Sequence, residues 1–538
     1  MAPRLVVLGW DSATFDVIDP LIEQGRLPIL ASLVARGQRA QLMSTWPPMT
    51  DCAWTSAFTG CNPGAHGIFG SWYRAPGAYE CRYFSSRDRR VPTLWEMTED
   101  VRWLVWNIPM TFPPSPIDGV IVAGYGAPPG SRFCEPASFQ DELARRWDLA
   151  DLLDRAPHST LEAFRDDLVR GLNAQAAALP WAIKESRADC AIAVWPHVDR
   201  AQHFFWRFRG TGHPLASAVD DIYIAMDRAT GAVIEAFPDA DVMIVSDHGA
   251  GDLKGDVNVG AWLASVGRAA YDTPRKTLSP RSVAADAAWA LPPVVRRIGR
   301  RLAPGLARKA MGAFLVKQLG PFDWSKTHAF VGVHNDLWLN LAGREPQGIV
   351  APADAAAVRD EIVAGLLELR DPASGGPVFA GAHLKEDIYS GPALDLAPDV
   401  MLDPWSAGYR VAVKREPSTD IVIPPASLAG VDVAWSSDHR PEGIFVAAGP
   451  NIASNAAPAE GSVLSLYDVA PTALALLGHA VPEGLDGAVA TTALAPAFLA
   501  SNPVTYGTQT TARSEAGDYS ADEAAAVASH LKDLGYID

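Results

Sequence analysis

The sequence predicts an α/β fold: a mostly parallel central sheet with helices on both faces. Three observations predict it. Apolar, β-rich runs alternate with segments of helical periodicity along most of the chain. Several runs end abruptly in a carboxylate or imidazole, as buried strands do when their carboxyl ends face a ligand. The 538 residues, 48% of them hydrophobic, can bury a large core and exclude wholesale disorder.

Taken in order, Arg4–Gly9 is the first strand and Thr14–Arg36 the helical segment after it. Gly119–Ala123 precedes Phe139–Trp147, Cys190–Trp195 precedes Leu215–Phe237, and Asp241–Ser246 precedes Val259–Val266, each as strand and then helix. Asp399–Leu402 and Gly443–Ala448 are further strands, and Ser465–Leu477 is a helix. No internal repeat is present. Two regions fit the alternation poorly and are expected as helical caps inserted in a single domain spanning 1–538: Trp147–Asp189 and Tyr271–Leu319. The second carries Arg296, Arg297, Arg300, Arg301, Arg308, Lys309 and Lys317 among apolar residues at helical spacing. One reading is a solvated basic face on an amphipathic helix. The other is attraction for an anionic substrate or a membrane surface; Pro304 and Gly305, which split the block into two short helices, weaken the membrane case.

Composition narrows the function classes. A net charge of −17 argues against a general nucleic-acid binder, so no duplex partner is expected. Cys52, Cys61, Cys81, Cys134 and Cys190 are odd in number, widely spaced and without a CxxC, which suits reduced thiols and a cytoplasmic location. Leu5–Gly9 is too short for the apolar core of a signal peptide. No run reaches about 18 apolar residues, so no transmembrane segment is expected. The oligomeric state is not legible.

The chemistry lies in five places. Asp11 directly follows the first strand, Thr50 follows Pro47-Pro48-Met49, and Asp199 and His203 follow the strand ending at Trp195. Asp247 and His248 close the run Val242–Ser246, and His439 precedes the strand at Gly443. Asp199 and His203, four positions apart, share one face of a helical turn. Each has an ordinary alternative: Asp11 as a helix N-cap, D-x-x-x-H as a surface pair, His439 as a loop histidine. Together they supply three carboxylates and three imidazoles, most at strand ends. That number suits two metals with three protein ligands each.

These segments resemble the alkaline phosphatase superfamily, and within it the type I phosphodiesterase/nucleotide pyrophosphatase branch. The resemblance rests on Gly9-Trp10-Asp11, Gly25-Arg26-Leu27-Pro28, Pro48-Met49-Thr50, Thr59-Gly60 and Pro63–Ile68. It continues through Asp199–His203, Ser246–Gly249, His439–Gly443, Asp468–Thr472 and Leu485-Asp486-Gly487. It implies a metal-dependent phosphoric ester hydrolase with an alkaline phosphatase-like catalytic domain and a small-molecule phosphate ester substrate. The implied cofactors are two divalent ions, Zn²⁺ before Mn²⁺, roughly 3.5–4 Å apart. Asp199, His203 and His439 would hold one; Asp11, Asp247 and His248 would hold the other, beside the nucleophile.

In the family the nucleophile lies nine residues before the Thr of the Thr-Gly pair, and counting back from Thr59 gives Thr50. Thr50 would also touch a metal, and would form a phospho-threonine. Its alternative role is to cap the following helix, and Thr55 is the second choice for nucleophile. Nucleotide-cleaving relatives carry Asn three residues after the nucleophile, where this chain has Ala53. His66 matches a family motif and is expected to support the site loop. Cys61-Asn62-Pro63-Gly64-Ala65 begins like a sulfatase motif, but Ala65 replaces its Arg. Phosphonate C–P hydrolysis and phosphotransfer to an alcohol or lipid are the remaining alternatives. Trp72-Tyr73 and the two cap segments are expected near the entrance.

Overall fold

The computed structural model describes residues 3–74, 77–128, 130–153, 160–272, 317–318, 322–332, 334–412, 419–424, 435–454, 463–508 and 527. Nine strands form the central sheet: β1 (Leu5–Trp10), β2 (Gln38–Met43), β3 (Trp103–Trp106), β4 (Gly119–Val122), β5 (Cys134–Glu135), β6 (Cys190–Trp195), β7 (Asp241–Val245), β8 (Glu442–Ala448) and β9 (Val463–Ser465). Their order is β9-β2-β8-β7-β1-β6-β3-β4-β5. The neighbours β7, β1, β6, β3 and β4 are parallel. Strand β8 runs against β7 and β2, and β5 runs against β4.

Every residue of β1, β6 and β7 is buried. Successive side chains point to opposite faces, so both faces of these strands are covered, which explains their unbroken apolar sequences. Helices α1 (Phe15–Glu23) and α2 (Pro28–Arg36) follow β1. The expected single helix Thr14–Arg36 is thus two. Gly25 adopts a left-handed φ of 70°, and Pro28 starts a new helix because it has no N–H to continue the old one. Helix α3 (Thr50–Thr59) follows β2 and is buried along its whole length.

Helix α4 (Leu161–Ser186) makes up most of the region expected as the first cap. It packs chiefly on helix α6 (Ala218–Ala236), with helix α5 (His197–Phe205) and β3 beside it. Phe164, Leu168, Leu172, Leu179 and Ile183 form its buried stripe, so the charged face is simply the solvent face of a helix on the sheet. The expected second cap, 271–319, lies almost wholly outside the described residues, including the basic positions from Arg296 to Lys309. One cluster of buried apolar side chains extends from Leu5 to Val527. All five cysteines are buried, and none forms a disulfide among the described residues. Among the described residues, no helix is long and apolar enough to cross a membrane.

The topology gathers one edge. The carboxyl ends of β1, β6 and β7 lie side by side. Because β8 is antiparallel, its start falls on that same edge, with Phe445 opposite Val245. A short ribbon pairs Ser437–Arg440 with Gly249–Asp252 and sets His439 opposite Ala250.

Candidate metal centre

Each expected residue reaches this edge by a different route. Asp11 continues β1, and its backbone N–H donates to the Trp195 carbonyl at 3.3 Å. Helix α5 starts directly after β6, so Asp199 and His203 lie one above the other on a helix with all nine residues buried. Asp247 and His248 continue β7, and the backbone N–H of Ser12 donates to Asp247 Oδ1 at 3.1 Å. The ribbon delivers His439.

The three imidazoles share one design. Nδ1 of His203 donates to the Ser437 carbonyl at 2.9 Å, that of His248 to the Gly249 carbonyl at 3.0 Å, and that of His439 to the Pro48 carbonyl at 2.8 Å. A carbonyl can only accept, so each Nδ1 carries a proton and each Nε2 is left to offer a lone pair. The three Nε2 atoms converge on carboxylates. His203 Nε2 is 3.1 Å and His439 Nε2 3.6 Å from Asp199 Oδ1; His248 Nε2 is 3.2 Å from Asp247 Oδ2 and 3.9 Å from Asp11 Oδ1. The Nε2 atoms of His203 and His439 are only 3.3 Å apart.

Buried lone pairs and carboxylates facing one another at such distances are stable only with positive charge between them. The donor set of imidazole nitrogen and carboxylate oxygen fits Zn²⁺. Among the described residues, Asp199, His203 and His439 form one group with ligand atoms within 4.8 Å of one another, and Asp11, Asp199 and His248 form a second. The first is the expected ligand set. In the second, Asp199 stands where Asp247 was expected, although Asp247 still faces His248. Asp199 therefore adjoins both positions.

Without a cation, protons take its place. Burial pushes the Asp247 carboxyl up to about 8. Burial disfavours the charged His439 ring, but its hydrogen bond to Asp199 and the charges of Asp438 and Asp199 outweigh this and raise it to about 9. Burial also works against ionised Asp199, yet His203 and His439 hold it well below the usual carboxylate range. A cation bound here displaces these protons, so its affinity must climb with pH.

Thr50 is the first residue of α3, whose N-cap Met49 makes no side-chain capping bond. The Thr50 hydroxyl therefore does not cap the helix. It lies 3.4 Å from His248 Nε2 and is 8% exposed. The competing hydroxyls are committed elsewhere. Thr55 donates to the Asp51 carbonyl at 2.7 Å, Thr59 donates to the Thr55 carbonyl at 2.8 Å, and Ser56 bonds His66 Nε2 at 2.8 Å. His66 Nδ1 accepts from the Ile68 N–H at 3.1 Å, which ties the following loop to α3. Ala53 offers no side-chain donor, and its own N–H is spent on the Met49 carbonyl at 2.9 Å.

Two tryptophans of the centre carry no sequence signal. Trp54 Nε1 donates to Asp11 Oδ2 at 3.0 Å, and Trp435 stacks on His203 with ring centroids 3.7 Å apart. Trp54 also explains Gly9. A Cβ there would meet the Trp54 ring at 2.5 Å and Val194 at 2.6 Å. Gly9→Ala is expected to destabilise the fold by about 1–3 kcal/mol through overpacking, and to loosen the metal by displacing the indole from Asp11. A lowered urea midpoint together with lowered metal content would show both effects.

The type I phosphodiesterase / nucleotide pyrophosphatase family matches residues 5–422. No curated protein matches the chain. Among solved structures, phosphonoacetate hydrolase from Sinorhizobium meliloti 1021 in complex with phosphonoformate is 15% identical, with a TM-score of 0.49, covering 87% of this chain and 94% of that chain. The same enzyme in complex with phosphonoacetate is 16% identical, with a TM-score of 0.48 and the same coverage of 87% and 94%. The family match takes in Asp11, Thr50, Asp199, His203, Asp247 and His248, and His439 lies just past its end. The chain belongs to the type I phosphodiesterase / nucleotide pyrophosphatase family, and is a phosphoester-hydrolysing enzyme.

Proposed function

We propose that this enzyme cleaves phosphodiesters through a phospho-threonine at Thr50, with two divalent cations, Zn²⁺ before Mn²⁺, at the strand-end cluster. The observation that carries the reading is the convergence of three Nε2 atoms and buried carboxylates beside the Thr50 hydroxyl. Asp199, His203 and His439 would hold one cation, and Asp11, Asp247 and His248 the other, with Asp199 within reach of both. Bound, the cations lower the pKa of the attacking hydroxyl and neutralise charge on the phosphoryl oxygens.

The chain's own residues do the rest. The Nδ1 bonds to carbonyls fix each imidazole in the tautomer that can ligate, and hold it in orientation before substrate arrives. The ten-residue helix α3 presents its first-turn N–H groups on the Thr50 side, where a phosphoryl group is favoured. Thr50 Oγ1 attacks phosphorus as its proton passes to solvent, and the bond to the leaving alcohol breaks on the opposite side. Water then cleaves the Thr50–phosphorus bond and restores the hydroxyl. The absence of a donor at Ala53 makes a phosphate ester a firmer assignment than a nucleotide.

The test is chelation, followed by reconstitution with Zn²⁺ or Mn²⁺ and assay on bis-p-nitrophenyl phosphate, p-nitrophenyl phosphate and phosphonoacetate. Turnover is expected to vanish on chelation, to return with Zn²⁺, and to be highest on the diester. Preference for phosphonoacetate would replace the reading with C–P hydrolysis, and capture of the phosphoryl group by added alcohol in place of water would replace it with phosphotransfer.

A further inference from the structure

Ser12 stands where β1 gives way to the turn before α1, directly after Asp11, and is 1% exposed. Its φ is 65°, in the left-handed region that favours glycine and that a serine occupies only with strain. Such strain persists where the surroundings over-determine the conformation. Here they do. The Ala13 N–H donates to the Trp10 carbonyl at 3.0 Å and closes the turn. Gln202 Nε2 donates to the Ser12 carbonyl at 2.8 Å and to Ser12 Oγ at 3.1 Å. Gln202 Oε1 accepts from the Tyr223 hydroxyl at 3.1 Å, and that hydroxyl accepts from the Thr14 N–H at 3.1 Å. Gln202, beside His203 on α5, and Tyr223 on α6 are both buried.

The turn reaches every member of one proposed ligand set. Asp11 is the neighbour of Ser12 in the chain. The Ser12 N–H donates to Asp247 Oδ1 at 3.1 Å, while Asp247 Oδ2 faces His248 Nε2 at 3.2 Å. The Ser12 hydroxyl donates to the Gly249 carbonyl at 3.3 Å, the same carbonyl that accepts the His248 Nδ1 proton at 3.0 Å. A glycine would adopt this φ without strain and would keep the N–H, so what the serine adds is its hydroxyl. We propose that Ser12 is a positioning residue for the cation beside Thr50. It fixes Asp247 and His248 relative to Asp11 and acts through these ligands, with Gln202 and Tyr223 holding it in place. The inference rests on the two-cation reading above.

Zn²⁺ titration of the full chain against a chromophoric chelator tests it. The wild type is expected to bind two ions. Ser12→Gly relieves the backbone and Ser12→Ala keeps the Cβ, and both remove the hydroxyl. Each should weaken one ion by about 10–100-fold, as loss of a partner behind the ligands does, and leave the other near its wild-type affinity. A general loss of stability would not select one ion. The two variants load the turn differently, so if one fails to fold the other still decides. Ser12→Gly should also add nothing to Asp247→Ala, because the ion it serves is already lost. Wild-type affinity for both ions in the Ser12 variants, equal weakening of both ions, or a further loss on top of Asp247→Ala overturns the positioning role. A wild type that binds fewer than two ions would instead overturn the two-cation reading.

Discussion

Replacing Thr50 with alanine is expected to cut phosphodiester turnover by roughly 10³–10⁶-fold, the range seen when a nucleophile is removed and binding survives. Metal content, measured by elemental analysis, should stay at the wild-type level, because the three imidazoles and three carboxylates are untouched. The specific reason is positional. Thr50 Oγ1 faces His248 Nε2, whereas Thr55, Thr59 and Ser56 spend their hydroxyls inside α3 or on His66. Thr55→Ala, in contrast, removes only an internal helix bond and should keep most activity. Thr50→Ser should retain a measurable fraction, since it keeps the oxygen and loses only the methyl group that orients it. Near-normal turnover by Thr50→Ala would sink the nucleophile assignment. Parallel loss in Thr55→Ala would point to damage in α3 as a whole.

The strand-end residues are legible in the sequence for a physical reason. Strands β1, β6 and β7 are buried on both faces, so their apolar runs stop only where the chain leaves the sheet. A polar residue at that point is conspicuous, which makes Asp11 and Asp247-His248 stand out. Helical spacing adds His203 to Asp199. Strand β2, with four of its six residues at least partly exposed, and β3, only four residues long, are short or mixed and give no such contrast. The split of 14–36 depends on the φ of Gly25 and on Pro28, and apolar periodicity encodes neither. Helix α4 shows the opposite failure. Its amphipathic pattern is plain, but a pattern says only that one face is buried, not whether a sheet or a cap covers it. Trp54 and Trp435 are invisible because their importance comes from what they touch, and the distance from Trp435 to His203 along the chain conceals the contact. His439 belongs to the site only because β8 runs antiparallel, and no spacing rule places it there without the resemblance.

Asp199→Ala is expected to do more damage than loss of any other single ligand. The carboxylate adjoins His203 and His439 in one group and Asp11 and His248 in the other. Removing it should therefore weaken both proposed metal positions, where Asp247→Ala leaves the Asp199–His203–His439 group whole. The electrostatics point the same way. Asp199 is the carboxylate that His203 and His439 hold ionised, and it is the main support for the raised His439. Without it three buried imidazoles face one another with less negative charge to hold a cation. Metal affinity should fall by at least about 100-fold, and elemental analysis after dialysis should find both ions lost. Asp199→Asn distinguishes charge from shape, because it keeps the side-chain volume and one ligating oxygen. If Asn retained both ions, the negative charge of Asp199 would be dispensable. If Asp199→Ala lost only one ion, the two groups would be independent, and the second metal would be held by Asp11, Asp247 and His248 alone.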